Sequence, residues 1–278
     1  TLTTRSYKMQ PQTLERMSRD IVSDAATLSD DEARYLVDAY YMMQEDRKRA
    51  HNQARAVEQN ADEAHSVSDN KIINWLADQS QMLEHQIKRA LDKYTEAHYM
   101  GSWMREVVGI GPVISAGLLA HIDIEKAPTV GHIWRFAGLD PTQKWEKGQR
   151  RPWNATLKTL CWKAGQSFMK FSGREDCYYG AIYRQRKAFE IERNERGDNK
   201  ELAAEIIKKI GKTTEAYKSL IEGKLPPGQI DARSRRYAVK LFLSHAHGAW
   251  YEKHYGEKPP IPYPIAILGH AHMINRPH

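Results

Sequence analysis

The stretch Val107-Val108-Gly109-Ile110-Gly111-Pro112-Val113-Ile114-Ser115-Ala116-Gly117-Leu118-Leu119-Ala120 decides how this chain is read. Gly109 stands where a helix ending near Val107 needs a residue free to adopt positive φ. Pro112 stands where a following helix would begin, at the position that tolerates a missing N–H. Gly111 lies between them, where a side chain would block another backbone. The spacing predicts two helices joined by a tight turn, a helix-hairpin-helix. Such a turn leaves N–H groups unpaired at the start of the second helix, at the positive end of its dipole. A phosphate oxygen fits there without any contact to a base. Gly109, Ile110, Gly111 and Val113 are therefore the first candidate binding residues. Binding through them would be indifferent to base sequence and sensitive to salt. A turn whose second helix is merely buried is the alternative reading of the same residues.

Upstream, residues 1–100 read as a helical hairpin. Residues 1–28 are weakly periodic. Ser29-Asp30-Asp31-Glu32 has the spacing of a capping box and predicts a long helix from Asp30 to beyond Ala56. Its apolar side includes Tyr35, Leu36, Ala39, Met42 and Met43. After a break near Ser66-Val67-Ser68-Asp69, a second helix reaches about His98, with Ile73, Leu76, Leu83, Ile87, Leu91 and Tyr94 in step. Two such helices make either a layer on the chain's own second half or an arm for homodimerisation. Residues 1–100 present no catalytic constellation.

Downstream, residues 101–258 read as a helical domain that contains the hairpin. Helices are expected from about Tyr179 to Arg196, from Glu201 to Ile221 and from Asp231 to Tyr255, with a turn at Pro226-Pro227-Gly228. Residues 259–278 hold five prolines and predict an irregular Pro/His-rich tail. No segment alternates as a strand would, so the expected fold class is all-α.

Charge divides the same way. The net charge is +7, yet residues 1–100 carry 13 Lys/Arg against 17 Asp/Glu, leaving 29 against 18 for the rest. Residues 135–163 alone hold seven cations and two acids, interleaved with Trp134, Trp145, Trp153 and Trp162. A polyanion partner is implied for this half. Lys144, Lys147, Arg150, Arg151 and Lys158 are candidate phosphate contacts. Exposed indoles among them could stack on unpaired bases. Trp134 and Trp162 are expected in the core, while Trp145 and Trp153 are open to either role. Arg233, Arg235, Arg236 and Lys240 open the last helix as a second cluster, and Arg184, Arg186 and Lys187 form a third.

The order and spacing of three elements carry a family resemblance. These are the hairpin, Phe136-Ala137-Gly138-Leu139-Asp140-Pro141, and Lys147-Gly148-Gln149-Arg150-Arg151 leading into Asn154-Ala155-Thr156-Leu157-Lys158-Thr159-Leu160. Residues 107–165 resemble the C-terminal domain of the IS110/IS116 family of insertion-sequence transposases. The resemblance implies a nucleic-acid-binding scaffold. Two departures stand against it. The family's N-terminal RuvC-like nuclease domain has no counterpart in the helical residues 1–100. Its serine nucleophile before a glycine is replaced by Lys147-Gly148.

The remaining features point to no cofactor. His245-Ala246-His247 and His270-Ala271-His272 are His-x-His pairs that could hold zinc if extended, but on a helix two such rings diverge by about 200°. Zinc there, with Glu252 or Glu257 as the carboxylate partner, and a divalent or monovalent cation at the hairpin, are the alternatives. Cys161 and Cys177 read as small core residues in a reducing, cytoplasmic setting. No apolar run is long enough to span a membrane, and Thr1-Leu2-Thr3-Thr4-Arg5 lacks the apolar core of a secretory signal. The expectation is a DNA-binding protein of a phage or mobile element, without catalysis. A metal-dependent nuclease or recombinase, and an RNA-binding nucleoprotein component, are the alternatives.

Overall fold

Ser29 opens the first long helix as the capping box requires. Its hydroxyl accepts from the Glu32 N–H at 3.3 Å, and the Glu32 carboxylate accepts from the Ser29 N–H at 2.8 Å. The protein is described here from a computed structural model, over residues 15–60, 71–261 and 274–277. Among these residues there are eleven α-helices, one 3-10 turn and no strand, so the fold is all-α. No helix among them is long and apolar enough to cross a membrane. The chain divides into two units, residues 1–94 and 95–278.

The first unit contains α1 (Arg19–Asp24), a 3-10 turn at Ala25–Thr27, α2 (Asp30–Asn60) and most of α3 (Lys71–Ala97). The break expected at 66–69 lies outside the described residues. Two polar links set α2 antiparallel to α3. Arg47 donates to the buried Glu84 at 2.5 and 3.2 Å, and the Tyr94 hydroxyl donates to Asp30 at 2.7 Å. The predicted apolar side of α2 needs correction. Tyr35 and Met42 are exposed, and Ala33, Val37, Ala50 and Ala54 are buried instead. Alanine lets a helix pack closely, and this line carries Arg47 toward Glu84. On α3, Leu91 and Tyr94 are buried as expected, whereas Leu76 is exposed.

The second unit runs through α4 (Gly101–Glu106), α5 (Pro112–His121), α6 (Val130–Phe136), α7 (Ala155–Lys170), α8 (Tyr178–Glu195), α9 (Lys200–Ile207), α10 (Glu215–Ile221) and α11 (Pro227–Tyr255). Helix α11 packs on α6, α7 and α8. Phe242 of α11 meets Phe168 of α7 and Tyr179 of α8 with ring centroids 5.5 and 5.3 Å away. Gly165 permits the α7–α11 contact, because a Cβ there would lie 3.1 Å from Val239 and 3.3 Å from Arg235. Cys161 and Cys177 are buried.

Two boundaries differ from the sequence reading. Pro226 and Pro227 do not make a separate turn. Pro226 is the N-cap and Pro227 the first residue of α11, where a missing N–H costs nothing. The helix expected over 201–221 is two helices, interrupted around Gly211.

Polar groups lock α8 to α11. Glu190 is 2% exposed and pairs with Arg186, with Arg233 at 3.2 Å and with Arg193 at 3.9 Å. Asp231 takes the Tyr183 hydroxyl, Lys187 at 3.2 Å and Arg235 at 2.8 Å. Removing a buried anion that holds three guanidinium groups leaves them uncompensated. Glu190→Ala is therefore expected to cost about 3–5 kcal/mol, read as a lower urea midpoint by circular dichroism.

Candidate nucleic-acid interface

A short turn joins α4 to α5. Helix α4 ends at Glu106, Gly109 takes φ +98°, Gly111 is extended at φ −85° and ψ 176°, and Pro112 is the first residue of α5. The turn is fastened from behind. The Ser167 hydroxyl of α7 donates to the Gly109 carbonyl at 2.5 Å, and the Cys177 thiol faces the Val108 carbonyl at 3.6 Å. Ile110 and Val113 bury their side chains. The Ile110 N–H already serves the Val107 carbonyl at 2.9 Å, so Ile110 offers no free donor. The open donors are the N–H groups of Gly111, Val113 and Ile114, which have no acceptor among the described residues. Gly111 is exposed, and a Cβ built on it meets nothing within 4 Å. The rest of α5 is core, with Ala116, Leu118, Leu119 and Ala120 buried. One helix thus serves as core along its length and as an amide donor at its end.

A second structure forms where residues 137–154 lead into α7. Asp140 accepts from the Thr142 N–H at 2.9 Å and the Thr142 hydroxyl at 2.8 Å, and these bonds hold its carboxyl below the usual range. Asn154 caps α7, accepting from the Leu157 N–H at 2.8 Å. The Trp145 indole donates to the Gln149 carbonyl at 2.8 Å and meets Trp153 edge-on at 6.5 Å. Arg151 lies 5.4 Å from the Trp145 ring, and the Lys158 ammonium lies 4.1 Å from the Trp153 ring. Trp134 is tied to α11, donating to the Lys240 carbonyl at 3.1 Å with the Lys240 ammonium 4.2 Å from its ring.

Cations converge here. Burial, and then the charges of Arg236 and Arg151, push the Lys158 ammonium below its ordinary range. Burial and Arg233 do the same for Arg236. Burial lowers Lys240 as well, with Asp140 opposing and Arg236 reinforcing the shift. Nearby acids on α8 and α11 are committed elsewhere, Glu190 and Asp231 to the interior pairs already described. Lys144, Lys147, Arg150, Arg151, Lys158 and Arg236 form no ion pair among the described residues.

The structure sorts the sequence candidates into three groups. Lys158, Arg151 and Arg236 come together beside Trp145 and Trp153. Lys144, Lys147 and Arg150 are exposed in the loop before α7. Arg233 and Arg235 turn inward, to Glu190 and Asn199 and to Asp231, and brace the helices. In the third cluster, Arg186 and Lys187 are likewise engaged, and Arg184 is exposed. Trp162, expected in the core, is 57% exposed. Lys240, grouped in the sequence with Arg233, Arg235 and Arg236, lies over Trp134, and Phe136 is exposed, which the sequence reading missed. One signal in the sequence bears on this face: α7 contains no Asp or Glu over its 16 residues.

Helix α7 joins the two structures. Ser167, behind the hairpin, and Lys158 are nine residues apart, half a turn around the helix and about 14 Å along it. The face between them bears Trp162, Lys163 and Lys170. Along α7, which contains no acid, the turn is fastened at Ser167 and the cation–indole cluster at Lys158.

The histidines take structural positions. His245 faces the Tyr179 hydroxyl at 2.9 Å and the Ile274 carbonyl at 2.8 Å, and His247 faces the Ala127 carbonyl at 2.8 Å. Both rings are held below their ordinary pKa, first by burial. Among the described residues no group of three or more His, Cys, Asp or Glu is placed to hold a metal ion. His270, His272 and His278 lie outside the described residues. Comparison with protein-family models, curated proteins and solved structures finds no match.

Two predictions follow from this geometry. Gly109→Val forces a β-branched residue to positive φ with its Cβ 3.3 Å from Phe168. It is expected to destabilise the fold by about 1–3 kcal/mol in thermal denaturation. The depressed pKa values of His245 and His247 mean that the unfolded chain binds protons the folded chain refuses. Stability should be full above the unfolded value of about 6.5 and fall as pH drops through the folded values. A urea midpoint that stays constant from pH 7.5 to pH 5 in the wild type would contradict this.

Proposed function

We propose that this protein binds DNA through the phosphate backbone, using α7 and the two structures fastened to it. The observation that carries the reading is the convergence of Arg151, Lys158 and Arg236, held near one another with no carboxylate partner among the described residues. Cations confined this way are stabilised by an arriving polyanion. The exposed Gly111 supports the same reading, since an anion can approach the Gly111, Val113 and Ile114 amides without meeting a side chain. Amides and cations engaged by phosphates carry no sequence information, so affinity should depend little on sequence. The protein acts as a binder that leaves its DNA intact, as part of the machinery of a phage or mobile element.

A second reading concerns the first unit. Ile72, Trp75 and Leu76 of α3 are exposed at three- and four-residue spacing, and Tyr35 and Met42 of α2 are exposed too. This favours self-association of the N-terminal hairpin. Sedimentation equilibrium of Trp75→Glu against wild type tests it, with a monomeric wild type excluding it.

The central test is a gel-shift salt titration with and without magnesium. Wild type is expected to shift DNA without cutting it, with an affinity that falls steeply with salt. Lys158→Ala and Arg236→Ala should each reduce the salt slope by about 1. Gly111→Val should weaken binding while the melting temperature holds, because the added side chain meets only the space an anion would occupy. Unchanged affinity in all three folded variants would refute the site, and cleaved product would replace the binder with a nuclease. Preference for RNA lost on removal of the 2′-hydroxyls would move the partner to RNA.

A further inference from the structure

We infer that the surface from Trp145 to Trp162 takes unpaired nucleotides, with bases against the indoles and phosphates against Arg151, Lys158 and Arg236. This deepens the proposed function and rests on it. Isolated exposed aromatics are ordinary on a protein surface. Here they are grouped: Trp162 is 57% exposed, Phe136 45% and Trp145 39%. The Asn154 N–H donates to the Phe136 carbonyl at 2.9 Å, which sets Phe136 beside the start of α7. Trp162 follows Lys158 by four residues, so the two are neighbours on the helix surface, about 6 Å apart along its axis. Trp153, Lys158 and Trp162 thus form a row of ring, cation and ring, with Trp145 and Arg151 at its head.

The choice of an unpaired strand follows from the chemistry. In a duplex the base faces are already stacked, and only edges and phosphates are accessible. A duplex would therefore use the cations and leave the indoles idle. An unpaired strand offers π-faces and phosphates together, which is the combination this surface presents. An acidic peptide would satisfy the cations alone. The loop is also set in advance. The Trp145–Gln149 bond, the Asp140 cap and the Asn154 cap hold it without a ligand, so little ordering is left for binding.

The experiment titrates the full chain with a thymidine oligonucleotide and with a duplex of equal length. Tryptophan fluorescence and gel shift are the readouts, and polyglutamate is the competitor. Wild type is expected to show fluorescence quenching with the oligonucleotide, and polyglutamate should compete poorly. Trp162→Ala and Trp145→Ala should each weaken oligonucleotide binding about tenfold or more and duplex binding by much less, and Trp145→Phe should restore most of the loss. Trp162 is exposed, so its variant decides the matter if Trp145→Ala fails to fold. If the Trp162 variant binds the oligonucleotide as wild type does while Lys158→Ala weakens both forms, the stacking inference falls and the phosphate reading stands. Equal competition by polyglutamate overturns the inference in favour of a general anion site. Failure of wild type to bind either nucleic acid overturns both.

Discussion

The contact of α11 with α7 at Gly165 is the constraint on which the candidate interface depends. A side chain at that position would hold the helices apart, since the nearest atoms of Val239 and Arg235 already lie at contact distance. With glycine, α11 lies close enough to bring Arg236 into the field of Lys158, and Arg236 in turn acts on Lys240. The same approach lets Phe242 join Phe168 and Tyr179 in the apolar centre of the unit. Burial of these rings drives the packing, and the cations are carried along with it. The electrostatic character of the surface is thus a consequence of how the core closes.

That arrangement works against the isolated protein. Lys158, Arg236 and Lys240 are each partly desolvated and each disfavoured by a cationic neighbour. The fold tolerates this because other cations are neutralised inside. Glu190 and Asp231 are surrounded by arginine, lysine and tyrosine, and they fix α8 to α11. Glu190 and Asp231 sit where the helices need them, and α7 contributes no acid of its own. A bound polyanion would supply the missing negative charge without rearranging the core.

The class of the fold was legible because its signals are local. The capping box at Ser29, the Gly-x-Gly-Pro turn and the long apolar periods each name a helix boundary from a few adjacent residues. What failed depended on the third dimension. Tyr35 and Trp162 are apolar, yet they lie on faces left exposed among the described residues. Arg233, Arg235 and Arg236 are near neighbours in sequence, but helical rotation sends the first two inward and the third outward. Pro226-Pro227 has the composition of a turn, and only the direction of the chain after it makes it a helix start. The convergence of Lys158 with Arg236 spans 78 positions of sequence and leaves no local trace.

The two structures fastened to α7 differ in a way that bears on what can bind there. The hairpin offers main-chain amides whose position is fixed by Gly109, by the Ser167 bond and by burial of Ile110 and Val113. Such donors fit an oxygen at one point and cannot follow it if it moves. The cation–indole cluster offers long side chains and rings, which can follow a strand as its course varies. A rigid anchor beside a compliant surface suits a partner of constant backbone and variable bases. In the proposed complex the phosphate chain would supply the constant element, and the exposed indoles would accept any base because every base has a π-face. Sequence selectivity would need a side chain held against a base edge, and in that complex Arg151, Lys158 and Arg236 are assigned to phosphates instead.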